Sequence, residues 1–178
     1  ARAEGMAGFD LRDLTFFRPL DVPDGARKEL RVTLMRSDEG FAVEIRSEAV
    51  MGGRKGWVLN ATGRLLPLAE GPRSIDPAAI AARLPAPVTG EGLASPQEAH
   101  LAFGPRWRVL RSMAVGGGEG LAQLALPLPH VAEAGTWPLH PALMDLATGW
   151  AMALIEGYVP DHLWGPVAYG RVSVHAPL

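Results

Sequence analysis

Asp145 is the ionisable residue with the most to explain. It lies in Leu139-His140-Pro141-Ala142-Leu143-Met144-Asp145, inside a segment from Pro138 to Ile155 where Leu143, Leu146, Ala147, Trp150, Ala151 and Leu154 recur at spacings of three and four. That is the period of a helix, and small residues crowd the other positions, so we expect a helix buried nearly all round. A lone carboxyl there costs free energy unless it is paired or works as an acid or base. Burial favours the neutral, proton-donating form, whereas a helix N-terminus favours the charged one. By spacing alone the better reading is structural, a cap or first-turn acid that suits the helix dipole.

Other chemistries are poorly supplied. Zero cysteines exclude disulfides, thiolate metal sites and a cysteine nucleophile. His130, His162 and His175 stand in separate segments without HxxxH or HxH spacing, so no metal site is expected. His140 is read as a residue that positions the turn before the helix. The net charge of -2 comes from interspersed acids and bases, which gives no footprint for nucleic acid or anionic lipid. The first ten residues lack a signal-peptide layout and no apolar run is long enough to span a bilayer, so a soluble, cytoplasmic protein is expected.

The elements that would position these groups read as β-rich. Glycine (21) and proline (16) together exceed a fifth of the 178 residues, as suits many strands joined by tight turns. A run at Leu11 to Phe17 is followed by the turn signal Pro23-Asp24-Gly25. Leu30, Val32 and Leu34, then Phe41, Val43 and Ile45, alternate with period two about Ser37-Asp38-Glu39-Gly40, a hairpin. Trp57 to Leu65 extends the meander after Gly52-Gly53. The Pro-, Ala- and Gly-rich stretch that follows reads as a linker, with a short helix at Pro77 to Arg83 capped by Asp76. Ser95-Pro96-Gln97-Glu98 opens another short helix, Trp107 to Ala114 and Leu121 to Leu126 read as strands, and Gly116-Gly117-Gly118 as a loop. The expected divisions are 1–72, a linker at 73–94, and 95–178 carrying the Asp145 helix.

Leu139 to Asp145 resembles the HPALLD motif of polyketide synthase dehydratase domains, and Phe103-Gly104-Pro105-Arg106-Trp107 with Leu110 resembles the same family's YGPxFxxL segment, in the right order and at the right separation. Leu14 to Leu20 and Tyr169 to His175 are similar to family strands. The resemblance implies an α+β double hotdog, two antiparallel sheets each wrapping a central helix, with 1–72 the remainder of the first hotdog and 95–178 the second. It also implies that the sequence begins inside the first and stops inside the second. The implied activity is a hydro-lyase that removes water from a β-hydroxyacyl thioester on the phosphopantetheine of an acyl carrier protein, with Asp145 as catalytic acid and no directly bound cofactor or metal. Implied partners are the carrier, other synthase domains and a second copy of the chain.

Phe103, Gly104, Pro105, Trp107, Leu143, Met144 and Gly149 are the candidate substrate-binding residues, although core packing is the commoner fate of Phe103 and Trp107. The sequence departs from the family in three places. The family's histidine motif, HxxxGxxxxP, has no match and is expected upstream; His100 precedes Gly104 by four, but Val109 stands where proline is needed. Gly149 replaces a Gln or His that would support Asp145 one turn away, and Phe103 replaces a tyrosine. The alternative reading is a catalytically silent, structural or acyl-binding domain, or a double-bond isomerase or cyclase using the same site.

Overall fold

The computed structural model describes residues 8–137 and 139–176; the opening residues read above for a leader and Pro138, expected to begin the last helix, lie outside them. The chain divides into two compact units, residues 1–72 with 165–176, and residues 73–164 with 177–178.

The first unit is an antiparallel sheet of five strands. β1 (Phe9–Phe16), β2 (Leu30–Ser37), β3 (Gly40–Met51), β4 (Arg54–Pro67) and β8 (Ala168–Val174) stand in the order β2-β3-β4-β1-β8. The hairpin at residues 37–40 forms as expected, with Ser37 opposite Gly40. β3 turns into β4 at Gly52-Gly53, whose φ angles of 55° and 77° are those a two-residue turn with both central residues left-handed requires. β1 carries a bulge between Arg12 and Thr15, where Asp13 takes a φ of 51° and its carboxylate receives Arg64 at 2.6 Å.

Residues 165–176 were expected with the Asp145 helix, yet β8 joins the first sheet, with Phe9 opposite Val174 and Asp10 opposite Ser173. A polar cluster explains the choice. Asp10 is fully buried, receives the Ser173 hydroxyl at 2.7 Å, and lies 3.0 Å from Arg171 and 3.3 Å from Arg12. Ser173's hydrogen bond, with those of Arg171 and Arg12, holds the Asp10 carboxyl below its ordinary range against the opposing effect of burial. An anion so satisfied on β1 recruits the strand that brings two of its partners.

The second unit holds β5 (Val88–Thr89), β6 (Leu110–Gly116) and β7 (Glu119–Leu124) in one antiparallel sheet, with helices α1 (Pro77–Ala81) and α2 (Pro141–Gly149). The stretch read as a linker therefore contributes a helix and a paired strand. Asp76 caps α1 as expected, accepting from the Ala78 and Ala79 amides. β6 starts three residues later than the sequence indicated, because Pro105–Trp107 forms a 3₁₀ turn and the Trp107 amide donates back to Gly104.

α2 is shorter than expected and buried along one stripe only, Ala142, Leu146 and Gly149, while Ala147 and Thr148 are exposed. The helix stops at Gly149. The Trp150 ring then lies across β7 so closely that a Cβ on Gly120 would come within 2.7 Å of it. Of the two sheets expected each to wrap a helix, the second has α2 beside it; the first has no helix of its own among the described residues.

Val109, Ala142 and Leu146 form the core of this unit, with Phe103, Trp107, Leu124, Leu126 and Leu143 packed around them. Leu146→Ala should lower unfolding free energy by about 2–5 kcal/mol in denaturant titration, since its side chain is only 1% exposed and the cavity has little freedom to collapse.

Candidate active site

His140 caps α2: its Nδ1 accepts from the Ala142 amide at 3.3 Å, and the ring is fully buried. The other ring nitrogen, Nε2, lies 3.2 Å from Glu133 Oε2. Pro141 occupies the first helical position, where its missing N–H costs nothing. Asp145 is thus the fifth residue of the helix, beyond the first turn, so the cap-or-dipole reading does not describe it.

The Asp145 side chain is half-buried, and its Oδ2 accepts a hydrogen bond from the Trp107 indole at 2.8 Å. An indole N–H only donates. Trp107 is stacked on Phe103, with ring centroids 6.4 Å apart and planes 25° from parallel. Among the described residues no cation pairs with Asp145, and Oδ1 has no partner. One carboxyl oxygen is therefore anchored by an uncharged donor.

Glu133 sets this geometry. It lies in a 3₁₀ segment, Leu128–Gly135, and accepts from Arg106 Nε at 2.7 Å and Nη2 at 3.0 Å, with His130 Nδ1 at 2.9 Å and His140 Nε2 at 3.2 Å. Arg106 first, then His130 and His140, hold its carboxyl down from 4.5 to about 2 against partial burial. Through Arg106 it fixes the turn that carries Trp107, and through His140 it fixes the start of α2.

The candidate residues divide accordingly. Asp145, Trp107 and Phe103 come together; Phe103, Trp107 and Leu143 also serve the core; Met144 is half-buried next to Asp145 on α2; Gly104 and Pro105 are exposed at the turn. Pro105 also borders a groove of about 520 Å³ with Arg108, Arg111 and Leu126–Pro129. Gly149 is buried against the Gln97 side chain. The arginines from 106 to 111 are engaged internally: Arg106 on Glu133, Arg108 on Glu98 at 2.5 Å, and Arg111 on the Arg108 carbonyl at 2.7 Å.

Sequence reasoning missed Glu133, His130 and Gln97. The His130-x-x-Glu133 spacing was the only signal for the first two, and it sits in a Pro-flanked segment with no helical period. The remaining histidines are placed apart from Asp145's hydrogen bond: His100 Nε2 is 3.1 Å from the Pro160 carbonyl, and His162 is paired with Asp161. Among the described residues no group of three or more His, Asp or Glu is arranged to hold a metal, and no helix is long and apolar enough to cross a membrane.

The family model described as polyketide synthase dehydratase N-terminal domain matches residues 72–178. The spectinabilin polyketide synthase system protein NorB of Streptomyces orinoci is 32% identical over 172 residues, 93% of this chain and 8% of that protein. Among solved structures, the dehydratase domain from the CurJ module of curacin polyketide synthase has a TM-score of 0.79 at 18% identity, covering 97% of this chain and 60% of that one. An inactive aspartate-to-asparagine mutant of the CurK dehydratase has a TM-score of 0.74 at 19% identity, covering 93% and 60%. The chain spans 2 to 8% of such curated relatives and about 60% of these solved domains. These likenesses establish the double-hotdog α+β fold.

Because Glu133's folded value lies below its ordinary one, the stability it contributes is complete above pH 4.5 and is lost as pH falls through about 2. Glu133→Gln should lower the thermal midpoint at pH 7 and flatten the loss of stability across that window. Parallel acid titrations of unfolding, followed by circular dichroism, check both.

Proposed function

The chain belongs to the polyketide synthase dehydratase family, and from that premise we propose that it eliminates water from a β-hydroxyacyl thioester carried on the phosphopantetheine of an acyl carrier protein. The observation that carries the reading is the half-buried Asp145 carboxyl, anchored through Oδ2 by the Trp107 indole. In this mechanism a base removes the α-proton, the α-carbon electron pair forms the double bond, and the β-carbon–oxygen bond breaks. Asp145 gives its proton to the departing hydroxyl, which leaves as water. No electrons pass to an external carrier, so the reaction needs no redox cofactor.

The base is assigned to none of His100, His130 and His140. His130 and His140 are committed to Glu133, and the turn at His100 lacks the family's proline. Trp107 is a positioning residue: with its single N–H it selects one carboxyl oxygen and aims the other. Phe103, Gly104, Pro105, Leu143, Met144 and Gly149 remain the proposed surroundings of the acyl chain. The carrier, neighbouring synthase domains and a second copy of the chain are the proposed partners, with the cytoplasm as the setting.

An intact synthase assayed with a β-hydroxyacyl carrier thioester tests this. Asp145→Asn should cost about 100-fold or more in dehydration with the fold retained; equal rates would remove Asp145 from the mechanism and favour a silent domain. Trp107→Phe keeps an aromatic ring but removes the donor together with part of the indole's packing, and should cost about tenfold or more.

A further inference from the structure

Gln97 is a buried polar residue that the fold leaves unexplained. Its backbone is fully used: the amide donates to Ser95 Oγ at 3.3 Å and the carbonyl accepts from the His100 and Leu101 amides at 3.0 Å. The 3₁₀ turn Pro96–Ala99 is held by a capping box, with Glu98 reaching the Ser95 amide at 2.9 Å, and Arg108 pairs with Glu98. Gln97 is 7% exposed, and its side-chain Oε1 is buried without a hydrogen-bond partner. An unsatisfied buried amide oxygen lowers stability and calls for an explanation.

Its location supplies one. A Cβ built on Gly149 would lie 2.7 Å from Gln97 Oε1, 3.0 Å from Cδ and 3.1 Å from Nε2. The carboxamide thus occupies the volume where a side chain of residue 149 would start. Residue 149 is four positions after Asp145, and side chains so spaced on a helix have Cβ atoms about 5–6 Å apart, the later one leaning back towards the earlier. Glycine at 149 is what admits the amide from a different element.

We propose that Gln97 is a positioning residue for Asp145, its carboxamide reaching across the space left open at Gly149 to hold the Asp145 carboxyl. This rests on Asp145 acting as the acid. A carboxamide suits both proton states: its oxygen accepts from the neutral acid's O–H and its NH₂ donates to the carboxylate left after proton transfer. The amide joins the Trp107 indole as a second, uncharged restraint and brings no cation to the acid.

The test uses the intact synthase polypeptide. Gln97→Met keeps side-chain length and removes both amide atoms; Gln97→Leu serves should methionine fail to fold. The expected result is a fall in kcat of about tenfold or more with KM within twofold, and a displaced alkaline limb in the pH profile, where the general acid loses its proton. Gln97→Ala combined with Gly149→Gln moves the amide onto α2 and should restore kcat to within a few-fold, whereas Gly149→Gln alone should lower the thermal midpoint. The cycle of Gln97→Met with Asp145→Asn, read as thermal unfolding, should be non-additive. An unchanged pH limb with retained fold, or an additive cycle, overturns the proposal. Should the parent catalyse no dehydration, the functional reading fails by itself and the unfolding cycle alone decides on Gln97.

Discussion

One carboxylate organises the second unit. Glu133 is met by a guanidinium and two imidazoles, which come from the turn before β6, from its own 3₁₀ segment and from the cap of α2. None of these segments is long enough to be rigid by itself: the turn has three residues and the helix nine. Tied to a common anion they become one frame, and the Trp107–Asp145 hydrogen bond is the consequence, because Trp107 follows Arg106 directly and Asp145 stands five residues after His140. Charge-assisted bonds suit such a frame, being short, directional and costly to break where the carboxylate is partly withdrawn from water.

Asp10 does the corresponding work in the first unit, where serine and two arginines surround a fully buried carboxylate and bind a late strand to an early one. The two clamps contrast with Asp145. Asp10 and Glu133 are both held below the ordinary carboxyl range, Asp10 first by the Ser173 hydroxyl and then by Arg171 and Arg12, Glu133 first by Arg106. Asp145 is restrained instead by an uncharged donor, the Trp107 indole N–H. Partner count and partner charge thus distinguish Asp10 and Glu133 from Asp145.

Much of the first sheet was legible because period-two alternation and turn residues are local signals: the hairpin at residues 37–40 and the Gly52-Gly53 turn were read directly. The pairing of β8 with β1 was not legible, since it depends on Asp10, Arg171 and Ser173 meeting across more than 160 residues of chain. The extent of α2 was overestimated for a related reason. Its apolar period continues through Trp150 and Leu154, but the Trp150 ring finds its place on Gly120 of β7 and the helix ends to let it. Asp145 was singled out by its neighbours His140 and Pro141, which the structure places as the cap and first residue of α2. Its anchor was half legible, because Trp107 was read as acyl-chain wall and core filler, and nothing in an aromatic residue's position announces that its N–H points at a carboxyl 38 residues away.

Gly149 illustrates how a departure from a pattern can relocate a group rather than delete it. Read along the chain, a glycine four residues after the acid looks like a missing side chain. In three dimensions the vacancy is filled by an amide from residue 97, reached through a capped 3₁₀ turn instead of along the helix. The substitution is physically economical: a carboxamide delivered from a separate element is held by that element's own caps and ion pair, so it stays in place if the end of α2 frays at the glycine. A side chain on residue 149 would be tied to the least stable turn of the helix, the one that gives way to a 3₁₀ turn within three residues. The position of this amide is thereby decoupled from the helix terminus, as the Glu133 frame decouples the position of Asp145 from the shortness of the helix that bears it.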